Sequence, residues 1–222
     1  MKDNPTDTDN PAEGFFSDPH PEIPTERIHE LVCERADGAE IPLSDLELCR
    51  IVEVRALNEP ECEYLLSIIR TAGIYAPKSP EEGQKHLYNS AFRGYKPAQL
   101  VIGLNYAYGH NREKDLFKAA KWLGKAAEGD NTDAFYHYGA VCLELFKQTG
   151  IEFFADEALE SLWEIAYDVC DANAILADMY LHGIGVPVSL ETAEKMIEFL
   201  KDNDYDVDTL EKELRTIKSK QS

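Results

Sequence analysis

The chain has 222 residues, and its 22 Lys plus Arg against 42 Asp plus Glu give a formal net charge of −20. That charge argues against a nucleic-acid or anionic-membrane partner. No stretch is apolar and long enough for a membrane span, and Met1–Asp7 lacks the apolar core of a secretory signal, so we expect a cytosolic protein.

Residues 1–24 predict a disordered acidic, Pro-rich tail. They contain five prolines and six acids against one lysine, a composition that cannot bury enough apolar surface to fold alone. The Phe15-Phe16 pair within this tail is open to two interpretations, as a short anchor for a partner or as a contact with its own protein.

Residues 25–61 predict two N-terminal capping helices. The first starts at Pro24 or Thr25 and ends at Asp37-Gly38. The second starts at Ser44, where the Ser44–Glu47 spacing is a capping box. A stacked helical array needs end units with a polar outer face, and this pair fits that need.

Three stretches that begin at Ala98, Ala134 and Ala172 are nearly the same, at offsets of 36 and 38 residues. A recurrence at that period indicates stacked helix pairs. Small or apolar residues occupy positions 1, 5, 6 and 9 of each stretch, so they lie on one helical face. Position 6 is Gly103, Gly139 or Ala177. A residue this small lets the second helix of each pair approach closely.

The second helix of each pair also recurs, with Asp115 and Ser189 as predicted N-caps. Ser79-Pro80-Glu81-Glu82 predicts an earlier helix start of the same kind, with Pro at the first helical position. We therefore predict four repeat units, at residues 62–97, 98–133, 134–171 and 172–205. Residues 206–222 predict a C-terminal capping helix with Asp208 as its cap and Leu210, Leu214 and Ile217 as its apolar stripe; the alternative is a partner-binding helix.

These motifs resemble the Sel-one-like repeat family, which is related to tetratricopeptide repeats. The resemblance is carried by Ala-x-x-x-(Leu/Ile)-Gly-x-x-Tyr-x-x-Gly, the Asp115 cap, Lys118–Trp122 and the loop Gly183–Pro187. It implies an all-α fold, a right-handed α-solenoid of about four antiparallel helix pairs with helical caps. Unit three departs from the pattern, because its predicted inter-helix loop, Phe146–Asp156, has about three extra residues and no Gly-x-Gly.

The sequence predicts a protein without catalytic residues or cofactors. Phosphate-loop, dinucleotide-binding, His-Glu-x-x-His and Gly-x-Ser-x-Gly patterns are absent. His137, His182 and Asp178 could in principle hold a divalent metal. The favoured interpretation is that these histidines form hydrogen bonds with neighbouring side chains, so no metal is predicted. Five cysteines without a Cys-x-x-Cys pair fit reduced thiols.

We expect the binding surface on the concave face. Positions 4, 7, 8 and 11 of each first helix point away from the core face and mix aromatic, polar and apolar groups, as interfaces do. The apolar members of this set could instead pack between neighbouring first helices. The candidate partner-binding residues are Asn105, Tyr108, His137, Glu144, Asp178 and His182.

The predicted function is a non-enzymatic protein–protein interaction module, an adaptor or regulator in a bacterial-type cytosol. The acidic charge favours either a basic protein as the partner or simply a well-solvated, soluble surface. An immunity protein or antitoxin-like inhibitor that neutralises a basic partner is the alternative, and an enzyme or enzyme subunit with an unrecognised site is the third reading. The sequence leaves the oligomeric state open.

Overall fold

The computed structural model describes residues 17–221, and within them it contains helices and no strand. The all-helical prediction is therefore confirmed for this part of the chain. None of the helices in the described range is long and apolar enough to cross a membrane. The eleven helices of the described range are α1 (Thr25–Ala36), α2 (Asp45–Ala56), α3 (Pro60–Ala72), α4 (Pro80–Phe92), α5 (Lys96–Tyr108), α6 (Leu116–Ala127), α7 (Thr132–Thr149), α8 (Glu152–Glu164), α9 (Cys170–His182), α10 (Leu190–Asp202) and α11 (Asp208–Gln221).

The chain divides into two compact units, residues 1–98 and residues 99–222. In the first unit, α1 and α2 both pack on α3, and α3 packs against α4. The core of this unit is aliphatic, with Ile28, Leu48, Ile51 and Leu65 fully buried. Burial of such side chains contributes about 1.5–3 kcal/mol each, so this cluster stabilises the unit.

Arg55 forms hydrogen bonds with the segment that precedes α1. Its guanidinium is only 9% exposed, and its Nε donates to Asp18 Oδ2 at 2.7 Å. The same group donates to the carbonyl oxygens of His20 and Ile23 and to the Thr25 hydroxyl. The prediction of a disordered tail is therefore wrong for residues 17–24, because a buried cation needs these oxygen partners. Residues 1–16, with Phe15-Phe16, lie outside the described residues.

The second unit is a series of antiparallel helices that pack in chain order. α6 packs on α7, α7 on α8, α8 on α9 and α9 on α10, while α11 contacts both α9 and α10. Two apolar clusters fill the unit, one around Leu123 and Leu145 and one around Leu162 and Leu176. Tyr138 packs against both clusters and so links them.

The small residues at position 6 lie where two helices approach closely. A Cβ atom placed on Gly103 would lie 2.6 Å from Leu123 Cγ, and one on Gly139 would lie 2.7 Å from Leu162 Cγ. Carbon atoms of residues that are distant in the chain do not approach within 3.0 Å in proteins. The prediction that a tiny residue at this position admits the second helix is confirmed for both glycines.

The predicted helix starts are confirmed by their hydrogen bonds. The Ser44–Glu47 capping box is reciprocal, and the side chains of Ser79, Asp115 and Ser189 each accept a backbone N–H of the first turn. Each helix pair starts two residues before the predicted repeat boundary, for example at Lys96 for the unit predicted at 98–133. α11 differs from the prediction by one residue, since Asp208 is its first helical residue rather than its cap, and the N–H of Asp208 donates to Asp206 Oδ1.

The prediction of a long inter-helix loop in unit three, at Phe146–Asp156, is wrong. α7 continues to Thr149 and α8 begins at Glu152, so only two residues connect them. Gly150 ends α7 in the left-handed conformation at φ 70°, and its N–H donates to the carbonyl of Phe146. Glycine adopts this conformation without steric cost, which permits so short a connection. The extra residues of the unit therefore lengthen a helix rather than a loop.

Candidate functional site

The six residues predicted for partner binding all lie in the second unit, and the structure distributes them among three elements. Tyr108 is the last residue of α5, His137 and Glu144 lie on α7, and Asp178 and His182 lie on α9. Asn105 is half-buried on α5, and its carbonyl accepts the N–H of His110. The first helices of consecutive pairs therefore carry the predicted surface, as the repeat pattern requires.

Tyr108 and His137 form one polar pair between α5 and α7. The Tyr108 hydroxyl lies 3.2 Å from His137 Nδ1, and the two rings meet edge to face with centroids 6.0 Å apart. Desolvation by burial lowers the pKa of His137 from its ordinary value, although Asp133 opposes the shift. Tyr108 itself is 60% exposed. The pair thus presents an aromatic ring and a predominantly neutral imidazole to solvent at neutral pH.

Glu144 forms a second polar group with the loop that follows α5. Its Oε1 accepts from Lys114 Nζ at 2.9 Å and from Gln148 Nε2 at 3.2 Å. The ion pair is about half exposed on both sides, so it contributes at most about 1 kcal/mol to stability. A partner could exchange this weak contact for its own at little cost.

Asp178 and His182 form a third group with a residue of α11. His182 Nε2 lies 3.4 Å from Asp178 Oδ1 and 3.0 Å from Glu213 Oε2. The side chain of Glu213 comes from α11, 31 residues further along the chain. His137, which the sequence suggested as a companion of these two residues, bonds to Tyr108 instead.

An open groove of about 370 Å³ lies between α7, α9 and the residues that lead into α11. We call it the α7–α9 groove. Its apolar lining is contributed by Leu143, Ala174, Ile175 and Leu210, and its polar lining by Tyr136, Lys147, Asp171, Asp178, Tyr205 and Asp206. Three carboxylates and one ammonium group therefore surround a partly apolar surface.

Tyr205 holds the α11 side of this groove to α9. Its hydroxyl donates to Asp171 Oδ1 at 2.6 Å. This hydrogen bond, together with burial, raises the pKa of Tyr205 to about 12. The Tyr205 hydroxyl therefore stays protonated and keeps donating throughout the physiological range.

Of the six predicted residues, only Asp178 lines the α7–α9 groove. Lys147, Asp171 and Tyr205 were not predicted from the sequence. Lys147 and Asp171 lie in the helical extension of α7 and the first turn of α9, outside repeat positions 4, 7, 8 and 11. Two apolar members of the outward-facing set, Val141 and Met179, are buried in the core, so the alternative of packing between neighbouring helices is correct for them.

The five cysteines form no disulfide, and none of them lines the α7–α9 groove. Cys49, Cys62 and Cys142 are buried. Burial raises the pKa of the Cys62 and Cys142 thiols to about 12. A thiol held protonated in this way is a poor nucleophile and a poor metal ligand.

Comparison with known proteins gives the family of the repeats. The model of the Sel1 repeat matches residues 96–131 and 170–198, which correspond to the α5–α6 pair and to α9 with most of α10. No protein of curated function matches the chain.

Two of the solved structures that share the fold are repeat proteins. One is a protective antigen of uropathogenic Escherichia coli strains that displays an SLR fold, with 19% identity and a TM-score of 0.58 over 78% of this chain and 37% of that one. The other is a Sel1 repeat protein from Oxalobacter formigenes, with 19% identity and a TM-score of 0.56 over 86% of this chain and 78% of that one. This chain thus spans little more than a third of the length of the first. The α-solenoid class predicted from the sequence is confirmed.

Proposed function

We propose that this chain, in which residues 96–131 and 170–198 match the Sel1 repeat, binds another protein through the exposed side chains of α5, α7 and α9, because Sel1-repeat proteins are generally protein-interaction modules. We place this activity in the cytosol and without catalysis. In the proposed mechanism, the packed helices hold these exposed side chains in fixed positions. Helices that are already packed lose little conformational freedom when a partner binds, so more of the contact energy remains as affinity.

The α7–α9 groove is the centre of the proposed surface, and its charge is the observation that carries the proposal. Asp171, Asp178 and Asp206 outnumber the single cation Lys147 around an apolar lining. An extended segment that places one apolar side chain on Ile175 between lysines or arginines complements this arrangement. Tyr108 and His137 extend the surface toward α5 and offer an exposed aromatic contact.

The net charge of −20 also favours the second candidate, an inhibitor that neutralises a basic protein. Long-range attraction speeds the encounter of oppositely charged proteins, and salt screens it. The two candidates differ in outcome for the partner, because an adaptor leaves the activity of its partner intact whereas an inhibitor abolishes it.

Binding of defined peptides to the purified full chain tests the groove. The probes are fluorescent peptides in which one Leu is flanked by Lys and Arg, compared with the same peptides flanked by Asp and Glu. We expect measurable affinity only for the basic series. Asp171→Arg should weaken that affinity about tenfold, a loss of about 1.4 kcal/mol, because it puts a cation on the rim of the groove and removes the acceptor that holds Tyr205 to α9.

Glu198→Arg is the matched control, because Glu198 is likewise exposed but lies on α10, away from the groove. It changes the net charge by the same amount and should alter the affinity less than about twofold. Equal loss in both variants would mean that the peptides sense only overall charge. Equal affinity for basic and acidic peptides contradicts the proposed recognition.

A further inference from the structure

We propose that Asp178, His182 and Glu213 form a binding site for one divalent transition-metal ion, with Zn²⁺ as the best match, that joins α9 to α11. The three residues each offer one ligand atom, and these atoms all lie within 4.8 Å of one another. The metal site shares Asp178 with the α7–α9 groove, but the argument for it does not rest on the protein-binding role proposed above. Its side chains come from helices α9 and α11, which pack together in the second unit.

The two distances from the imidazole nitrogen are close to those of a tetrahedral site. Zinc bonds to imidazole nitrogen and carboxylate oxygen are about 2.0–2.1 Å long, which holds neighbouring tetrahedral donors about 3.4 Å apart. His182 Nε2 lies 3.4 Å from Asp178 Oδ1 and 3.0 Å from Glu213 Oε2. The third pair of donors, on Asp178 and Glu213, lies within 4.8 Å, so the two carboxylates need to approach each other by at most about 1.4 Å to reach the tetrahedral spacing.

Helical spacing explains why two of the ligands are already aligned. Asp178 and His182 are four residues apart on α9, so their side chains lie on the same face, one turn from each other. The third ligand comes from α11, which is positioned by the apolar contacts of Leu210, Leu214 and Ile217 with the core. The site is thus supported by packing that does not depend on the ion.

The charge of the cluster also favours a cation. Two carboxylates share one imidazole, and among the described residues neither carboxylate forms an ion pair with a lysine or an arginine. A divalent ion would balance both negative charges at once. By contrast, the other acidic groups of α10 and α11 with ion pairs in the described part of the chain, Glu191, Glu194 and Glu211, pair with lysine or arginine.

The donor set selects the type of metal. An imidazole nitrogen suits zinc and its transition-metal neighbours better than magnesium or calcium, and carboxylates are regular zinc ligands. Three protein ligands leave the fourth position to water. The side chains are 36–40% exposed, and a cleft of about 540 Å³ beside His182 and Glu213 gives the ion a path from solvent.

Zinc titration of the chelator-stripped full chain, followed by calorimetry, tests the site. We expect saturable binding of one equivalent and slower amide hydrogen exchange in α11 when zinc is bound. Glu213→Gln keeps a hydrogen-bonding side chain but removes the anionic ligand. It should weaken zinc binding at least about tenfold, because even the loss of an outer partner of a ligand costs that much.

His86→Gln is the matched control, since His86 Nδ1 lies 2.8 Å from Glu63 Oε2 in the first unit but belongs to no group of three ligands among the described residues. It should bind zinc as the wild type does. Absence of a saturable first equivalent, or unchanged affinity in Glu213→Gln, overturns the proposal. Should Glu213→Gln fail to fold, Asp178→Asn gives the same test, and circular dichroism of each metal-free variant shows that it is folded.

Discussion

Replacement of Gly139 by Ala measures how closely α7 and α8 must approach. The added methyl group would lie 2.7 Å from Leu162 Cγ and 3.0 Å from Leu162 Cδ2. Leu162 is fully buried, so it has no free space into which to withdraw. The substitution therefore forces either a strained rotamer of Leu162 or a separation of the two helices.

Two opposing effects decide the size of the change in unfolding free energy. Alanine in a helix interior is more favourable than glycine by about 1 kcal/mol, whereas overpacking of a filled core costs about 1–3 kcal/mol. Because the clash is with a fully buried side chain, we take the cost as about 2–3 kcal/mol. Gly139→Ala should then destabilise the chain by about 1–2 kcal/mol.

Urea unfolding followed by far-ultraviolet circular dichroism measures this difference, and a double-mutant cycle with Leu162→Ala isolates its cause. Leu162→Ala alone should cost about 2–5 kcal/mol. In that background Gly139→Ala should become stabilising by about 1 kcal/mol, since only the gain in helix propensity remains.

Gly124→Ala is the matched control, because a Cβ there would lie no closer than 3.2 Å to the ring atoms of Tyr138. It should change stability by less than about 1 kcal/mol. The reasoning is refuted if Gly139→Ala is as harmless as Gly124→Ala, or if its cost is the same with and without the Leu162 side chain.

Three further outcomes are expected. Arg55→Ala should destabilise the first unit by about 3 kcal/mol in urea unfolding and expose residues 17–24 to limited proteolysis, because it leaves their buried partners unpaired. Cys62 and Cys142 should resist alkylation until the chain unfolds, since burial raises the pKa of each thiol to about 12; mass spectrometry of iodoacetamide-treated native protein checks this. His137 should titrate below its ordinary value of 6.5 by NMR, because burial lowers its pKa. Its contribution to stability is present above pH 6.5 and falls as the pH drops through the folded pKa, so acidification should destabilise wild type more than His137→Gln.

The fold could be predicted from the sequence because its determinants are local. Gly103 and Gly139 indicate where two helices approach closely. The short polar side chains of Ser79 and Asp115 indicate where helices begin. Each of these signals recurs at the repeat period, so each unit supports the interpretation of the others. Unit three was misread because an insertion adds residues without specifying whether they lengthen a helix or a loop.

The candidate surfaces could be predicted only in part because they depend on segments outside the repeat. The repeat periodicity places His182 and Asp178 on one face of α9. It does not predict the position of α11, which lies outside the repeats and supplies Glu213, 31 residues after His182. Tyr205 and Asp206 likewise reach the α7–α9 groove from the connection before α11. The position of such a segment follows from its packing and not from its spacing in the sequence.

The contacts of Arg55 limit how far the N-terminal segment can be shortened. The first helix begins at Thr25, yet Asp18, His20 and Ile23 already belong to the folded body through this guanidinium. A shortened protein that starts at the helix would keep every helical residue and still lack most of the oxygen atoms around a buried charge. An affinity tag or a fusion partner is best joined ahead of residue 17.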